Sequence, residues 1–120
     1  MKNIIIIGAT SGIGRAVADI YIGQGNKVGV TGRREHLLEE IVSSSPEGMV
    51  YPKVFDVTDD NAAKSLSELV ADMGGVDICL YSSGYGHTDT ALDPELELGQ
   101  IDVNAKGFVR CAVWLFNYWA

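Results

Sequence analysis

Seven residues near the start of the chain, Gly8-Ala9-Thr10-Ser11-Gly12-Ile13-Gly14, combine three glycines with two hydroxyl side chains directly after a run of four isoleucines, Ile4 to Ile7. A strand that turns sharply into a helix aims unpaired backbone N–H groups and the positive end of a helix dipole at one spot, which suits a diphosphate. In such a turn Gly8 permits the tight bend, Gly12 leaves out a Cβ beside the pyrophosphate, and Gly14 lets the helix approach the strand. Thr10 and Ser11 add hydroxyl donors. The spacing is GxxxGxG rather than GxGxxG, and no Lys-Ser or Lys-Thr follows, which argues against a P-loop NTPase.

Other chemistry is thinly represented. His87 stands alone in a Gly/Thr/Asp loop and reads as a solvated residue, as does His36 on a charged helix start. Asp89, Asp93, Glu95 and Glu97 form no defined carboxylate pair. Cys79 and Cys111 lie in apolar runs with no CxxC spacing and no Cys/His pair, so no metal site is expected, and a reducing, cytoplasmic compartment is the simplest setting.

The elements that must hold the glycine loop follow from alternating hydrophobic periods. Short apolar runs at Ile4–Ile7, 28–31, 50–55 and 76–81 read as strands, and Pro52 favours an edge position for the third. Between them lie helical stripes: Ile13, Val17, Ile20 and Tyr21; then Leu37, Leu38, Ile41 and Val42; then Ala62, Leu66, Leu69, Val70 and Met73. The third helix has Thr58 or Asp59 as candidate cap and Gly74-Gly75 as its stop. Asp93-Pro94 opens a last helix whose apolar residues, from Phe108 to Trp119, spread around its surface and call for burial on more than one side. This β-α alternation predicts a doubly wound parallel α/β sheet in one domain, residues 1–120.

Composition agrees with a folded domain: 120 residues, 47% hydrophobic and 21% charged. A net charge of −7 disfavours nucleic acid and anionic membrane surfaces as partners. The apolar start is too short for a signal peptide, and the stretch from Phe108 to Ala120 is interrupted by Arg110 and Asn117.

The glycine loop resembles that of the short-chain dehydrogenases/reductases, whose usual pattern is TGxxxGxG, with Ile7 in the threonine place. Three further segments are similar in the same order. Asp56-Val57 follows the third strand, where the family carries an aspartate for the adenine amine and a residue against the ring. Tyr81-Ser82-Ser83-Gly84 ends the fourth strand, where the family shows Asn-Asn-Ala-Gly, with Tyr81 and Ser82 in the asparagine places. Val103-Asn104-Ala105-Lys106-Gly107 is similar to the segment whose asparagine belongs to the catalytic tetrad. The resemblance implies a Rossmann-type fold with strand order 3-2-1-4, a nicotinamide dinucleotide, a small alcohol or carbonyl substrate in the intact protein, and a homo-oligomer. It also implies that the chain is truncated relative to the family. None of Tyr21, Tyr51, Tyr81, Tyr85 and Tyr118 is followed four places on by lysine, so the family's Tyr-x-x-x-Lys pair is not among these residues.

In dinucleotide folds a carboxylate at the end of the second strand binds the adenosine ribose and favours NAD. Here that residue is Gly32, followed by Arg33 and Arg34. A guanidinium can clamp a 2′-phosphate, and Arg15, Arg33 and Arg34 are expected to make a local positive pocket, so NADP(H) fits better than NAD(H). The expected function is thus the cofactor-binding half of an NADP(H)-dependent oxidoreductase, inactive by itself. The alternative is a non-catalytic nucleotide-binding or regulatory module.

Overall fold

The computed structural model describes residues 1–10, 12–83, 94–95, 98 and 102–120. In chain order it contains β1 (Asn3–Ile7), α1 (Gly12–Gly23), β2 (Lys27–Gly32), α2 (Glu35–Ser43), β3 (Val50–Val54), α3 (Ala62–Met73), β4 (Ile78–Tyr81), a π-helical segment (Asp102–Lys106) and α4 (Gly107–Trp119). The four strands form one parallel sheet in the order β3-β2-β1-β4. Pro52 therefore sits on an edge strand, where its missing N–H removes no central ladder bond.

The isoleucine run explains why the sheet is covered on both faces. Side chains alternate along a strand, so Ile4 and Ile6 enter one core with Ala18, Val28, Val30, Leu38 and Ile41, while Ile5 and Ile7 enter the other with Leu66, Leu69, Met73, Cys111 and Leu115. Helices α1 and α2 cover the first face, and α3 and α4 the second. Both cores leave their strands ending at the same edge of the sheet. The order reverses between β1 and β4, so the described residues just beyond the four strands, 8–10, 33–34, 55–57 and 82–83, gather there around a topological switch point, the usual ligand crevice of an open α/β sheet.

Four details depart from the sequence expectations. In α1 the buried residues are Gly14 and Ala18, flanked by Val17, Tyr21 and Ile22, whereas Ile13 and Ile20 are exposed. Small residues mark the buried side because the helix lies close to the sheet. Helix α3 begins at Ala62 rather than after Thr58 or Asp59, and its N-cap Asn61 makes no side-chain cap bond; its five expected core residues are all buried. Strand β4 begins at Ile78, with Val76 buried before it. In α4 only Gly107, Cys111 and Leu115 are buried, while Phe108, Val109, Val113, Phe116 and Trp119 are exposed, since one sheet face can cover only one side of the helix. Pro94, Glu95 and Leu98 are helical, and Asp93 lies outside the described residues. No helix among the described residues is long and apolar enough to cross a membrane.

Candidate functional site

The glycine loop is stitched to its two neighbouring strands. The Ala9 N–H donates to the Thr31 carbonyl at 2.9 Å, the Gly8 N–H to Thr31 Oγ1 at 3.3 Å, and the Ser82 N–H to the Ile7 carbonyl at 2.7 Å. Thr31 was not an expected site residue. Its signal is a lone hydroxyl at the end of an apolar strand, and burial makes its bond to the loop hard to replace. Gly8 has φ +89°, and a Cβ there would stand 2.7 Å from the Ser83 nitrogen. A Cβ on Gly14 would run into the Gly8 carbonyl, so α1 rests directly on the turn. Gly12 is different: a Cβ would meet nothing within 4 Å. Its open side lies at the N-terminus of a 12-residue helix whose first N–H groups have no intrahelical partner, and Ile13 beside it is 76% exposed. Such a helix start can hold an anion, and here it leaves room where a side chain would project.

At the end of β2, Gly32 lies against Thr10, and Arg33 and Arg34 are exposed. Arg34 is the N-cap residue of α2 and makes no side-chain cap bond. Among the described residues neither arginine has an ion-pair partner. Arg15 does, to Asp19 at 3.3 Å, so the positive pocket expected from three arginines has one of them matched by a carboxylate.

After β3 the Asp56 carboxylate folds back on its own loop. Its Oδ1 accepts the Thr58 N–H at 2.9 Å and the Thr58 hydroxyl at 2.8 Å, a local turn that competes with a cap further on. Val57 has its side chain in the core, 6% exposed. A Cβ on Gly107 would fall 2.9 Å from Val57 Cγ2 and 2.7 Å from the Tyr81 hydroxyl, so α4 begins in close contact with both. Arg110 completes this junction: Nη1 donates to the Val57 carbonyl at 3.0 Å. Asn104 is exposed within the π-helical segment, whose widened turn leads directly into α4.

Burial governs the titratable groups beneath. It pushes the Cys79 thiol up to about 12, with Cys111 adding to the effect, and the Cys111 thiol up to about 11 against the pull of Arg110. Tyr81, edge-on to Phe108 at 5.4 Å, is raised to about 12, chiefly by burial. All three are neutral near pH 7. Among the described residues no group of three or more His, Cys, Asp or Glu side chains is placed to hold a metal.

Of the expected cofactor residues, Gly8, Thr10, Gly12, Ile13, Gly14, Arg33, Arg34, Asp56, Val57, Ser82 and Ser83 all follow the ends of the strands or open the helix beside them. Ser11, Gly84 and His87 lie outside the described residues.

A family model described as short chain dehydrogenase matches residues 2–120. An uncharacterized oxidoreductase of Staphylococcus saprophyticus is 32% identical over 112 residues, which cover 88% of this chain and 48% of the relative. The crystal structure of serine dehydrogenase from Escherichia coli superposes with a TM-score of 0.86 at 27% identity, covering 96% of this chain and 55% of that one. ElxO with NADP bound superposes with a TM-score of 0.88 at 25% identity, over 98% of this chain and 50% of its own. The chain thus spans about half the length of the proteins it matches. A parallel sheet in the order 3-2-1-4, a glycine loop at its switch point and a family match from Lys2 to Ala120 agree, and the chain belongs to the short-chain dehydrogenases.

Proposed function

We propose that this chain supplies the nucleotide-binding part of an NADP(H)-dependent oxidoreductase acting on a small alcohol or carbonyl. The observation that carries the reading is the open Gly12 turn together with a β2 that ends at Gly32, bears no carboxylate and is followed by the exposed Arg33 and Arg34. When bound, the nicotinamide cofactor supplies or accepts the hydride. The chain's own residues bind and orient it: the N–H groups around Gly12 and Ile13, with the Thr10 and Ser11 hydroxyls, hold the diphosphate, and Arg33 with Arg34 holds the 2′-phosphate. Asp56, whose Oδ1 is occupied by Thr58, offers Oδ2 to the adenine amine. Val57 supports that edge from the core, Ser83 lies against Gly8 and Ser82 against Gly14, and Gly84, next in sequence, belongs on this reading to the same cofactor-binding segment.

On this reading Asn104 is the positioning residue for a proton relay, and its place in a π-helical turn at the start of α4 supports that role. No Tyr-x-x-x-Lys pair occurs in these 120 residues, which supports reading them as a part that binds cofactor without turning over a carbonyl; the family resemblance supports a homo-oligomer for the intact enzyme, and the two free cysteines support a cytoplasmic setting. That ElxO holds NADP in a superposable fold supports the choice of cofactor. The test is calorimetric titration with NADPH and NADH. Tighter binding of NADPH, reversed by Arg33→Asp, is expected; equal affinities unchanged by that substitution would leave Arg33 a solvated helix residue.

A further inference from the structure

The last residue of β2 is glycine for a reason that its backbone does not supply. Gly32 is in a strand, paired in register with Val54, and has no positive φ. Any residue could adopt that conformation. Space is what is missing: a Cβ on Gly32 would lie 2.5 Å from Thr10 Cγ2, well inside van der Waals contact, while Thr10 Oγ1 and Cβ would be at 3.6 and 3.7 Å. One methyl group is therefore the whole obstruction.

The backbone that carries that methyl cannot easily withdraw. The loop carrying Thr10 is pinned to the end of β2 by the bonds that Gly8 and Ala9 give Thr31, one of them to a buried hydroxyl. On the other side, Gly32 is fixed to β3 through its carbonyl, which accepts the Phe55 N–H at 3.1 Å. Loop and strand end are held against each other, and Thr10 fills the gap between them.

We propose that Thr10 is a specificity-determining residue of the nucleotide site: its γ-methyl occupies the space that a side chain on residue 32 would need, and so bars the carboxylate by which dinucleotide folds select NAD(H). The proposal rests on the dinucleotide reading of the site. It makes acceptance of a carboxylate at position 32 depend on two residues from different elements, so that exchanging Gly32 alone does not transfer specificity. Thr10→Ser removes the obstructing methyl and keeps the hydroxyl beside the diphosphate cradle.

The experiment is a double-mutant cycle on the full chain, read in two ways. Without ligand, Gly32→Ala should lower Tm by about 5–10 °C in the Thr10 background, the cost of forcing a methyl into a filled space. In the Thr10→Ser background the same substitution should leave Tm unchanged or raise it, because alanine restricts the unfolded chain more than glycine does. With ligand, Gly32→Asp alone should weaken NADPH binding at least tenfold and gain nothing for NADH. Thr10→Ser/Gly32→Asp should bind NADH at least tenfold more tightly than Gly32→Asp does. Equal Tm changes in both backgrounds, or equal NADH affinities for the single and double variants, would overturn the proposal while leaving the dinucleotide reading intact. Failure of every variant and of the parent chain to bind either nucleotide would overturn both.

Discussion

Replacing Gly14 by alanine should destabilise the protein, although alanine is the better helix former. Within a helix the exchange is worth about 0.8–1 kcal/mol in favour of alanine. Against it stands the position of the new Cβ, which would run into the Gly8 carbonyl and lie 3.2 Å from Ser82 Cβ. Backbone oxygen cannot rotate away, so α1 must lift from the turn, and overpacking of this kind costs about 1–3 kcal/mol, with rigid neighbours toward the upper end. The net loss is then about 1–2 kcal/mol, or roughly 5–10 °C in Tm for a domain of this size. Gly23, the last residue of the same helix, is the internal control, since a Cβ there meets nothing within 4 Å and its φ is not positive. Gly23→Ala should be neutral or stabilising by up to about 1 kcal/mol. Thermal unfolding of both variants by circular dichroism measures the difference. A Gly14→Ala protein as stable as Gly23→Ala would refute the claim that α1 rests on the glycine turn.

Further outcomes follow from the same geometry. Arg33→Asp should exchange an NADPH preference of roughly ten- to hundredfold, equivalent to about 1.5–3 kcal/mol for a charge-assisted bond, for an NADH preference in calorimetric titration. The buried thiols should make stability fall with rising alkaline pH: an unfolded thiol ionises near 9, whereas Cys79 and Cys111 hold their protons to about 12 and about 11, so the folded state binds more protons between these values. Denaturant midpoints from pH 8 to pH 10 should therefore drop more steeply for the parent chain than for Cys79→Ala, and parallel curves would contradict the assignment. The 120 residues loaded with NADPH should not oxidise it with ketones or aldehydes, and turnover that disappears in Asn104→Ala or His87→Ala would reveal a proton route that this account lacks.

The fold was legible because the isoleucine run and the helical stripes report the two periods directly, and because Pro52 marks an edge strand. Strand order came from the resemblance, since no spacing in a single chain states which strands are neighbours. Helix α1 misled for a physical reason: apolar stripes are read from large residues, but a helix lying close to a sheet turns its smallest ones inward, here Gly14 and Ala18, and leaves Ile13 at the mouth of the cradle. The start of α3 was hidden by the Asp56 turn, which engages the Thr58 hydroxyl that was a candidate cap. At the site, the glycine spacing announced the loop, but the Thr31 hydroxyl beneath it and the Thr10 contact with Gly32 join residues far apart in sequence. Only the sheet brings them together.

The proposed function requires the residues that follow β1, β2, β3 and β4 to form one nucleotide site. Amide chemical-shift mapping of the isotope-labelled protein during NADPH titration tests it most directly. Saturable shifts are expected at Thr10, Gly12, Ile13 and Gly14, at Gly32 to Arg34, and at Val57, Ser82 and Ser83, with NADH perturbing the Arg33 region least. Shifts confined to the opposite end of the sheet, around Asn3 and Asp77, or no shifts at millimolar nucleotide, would contradict it.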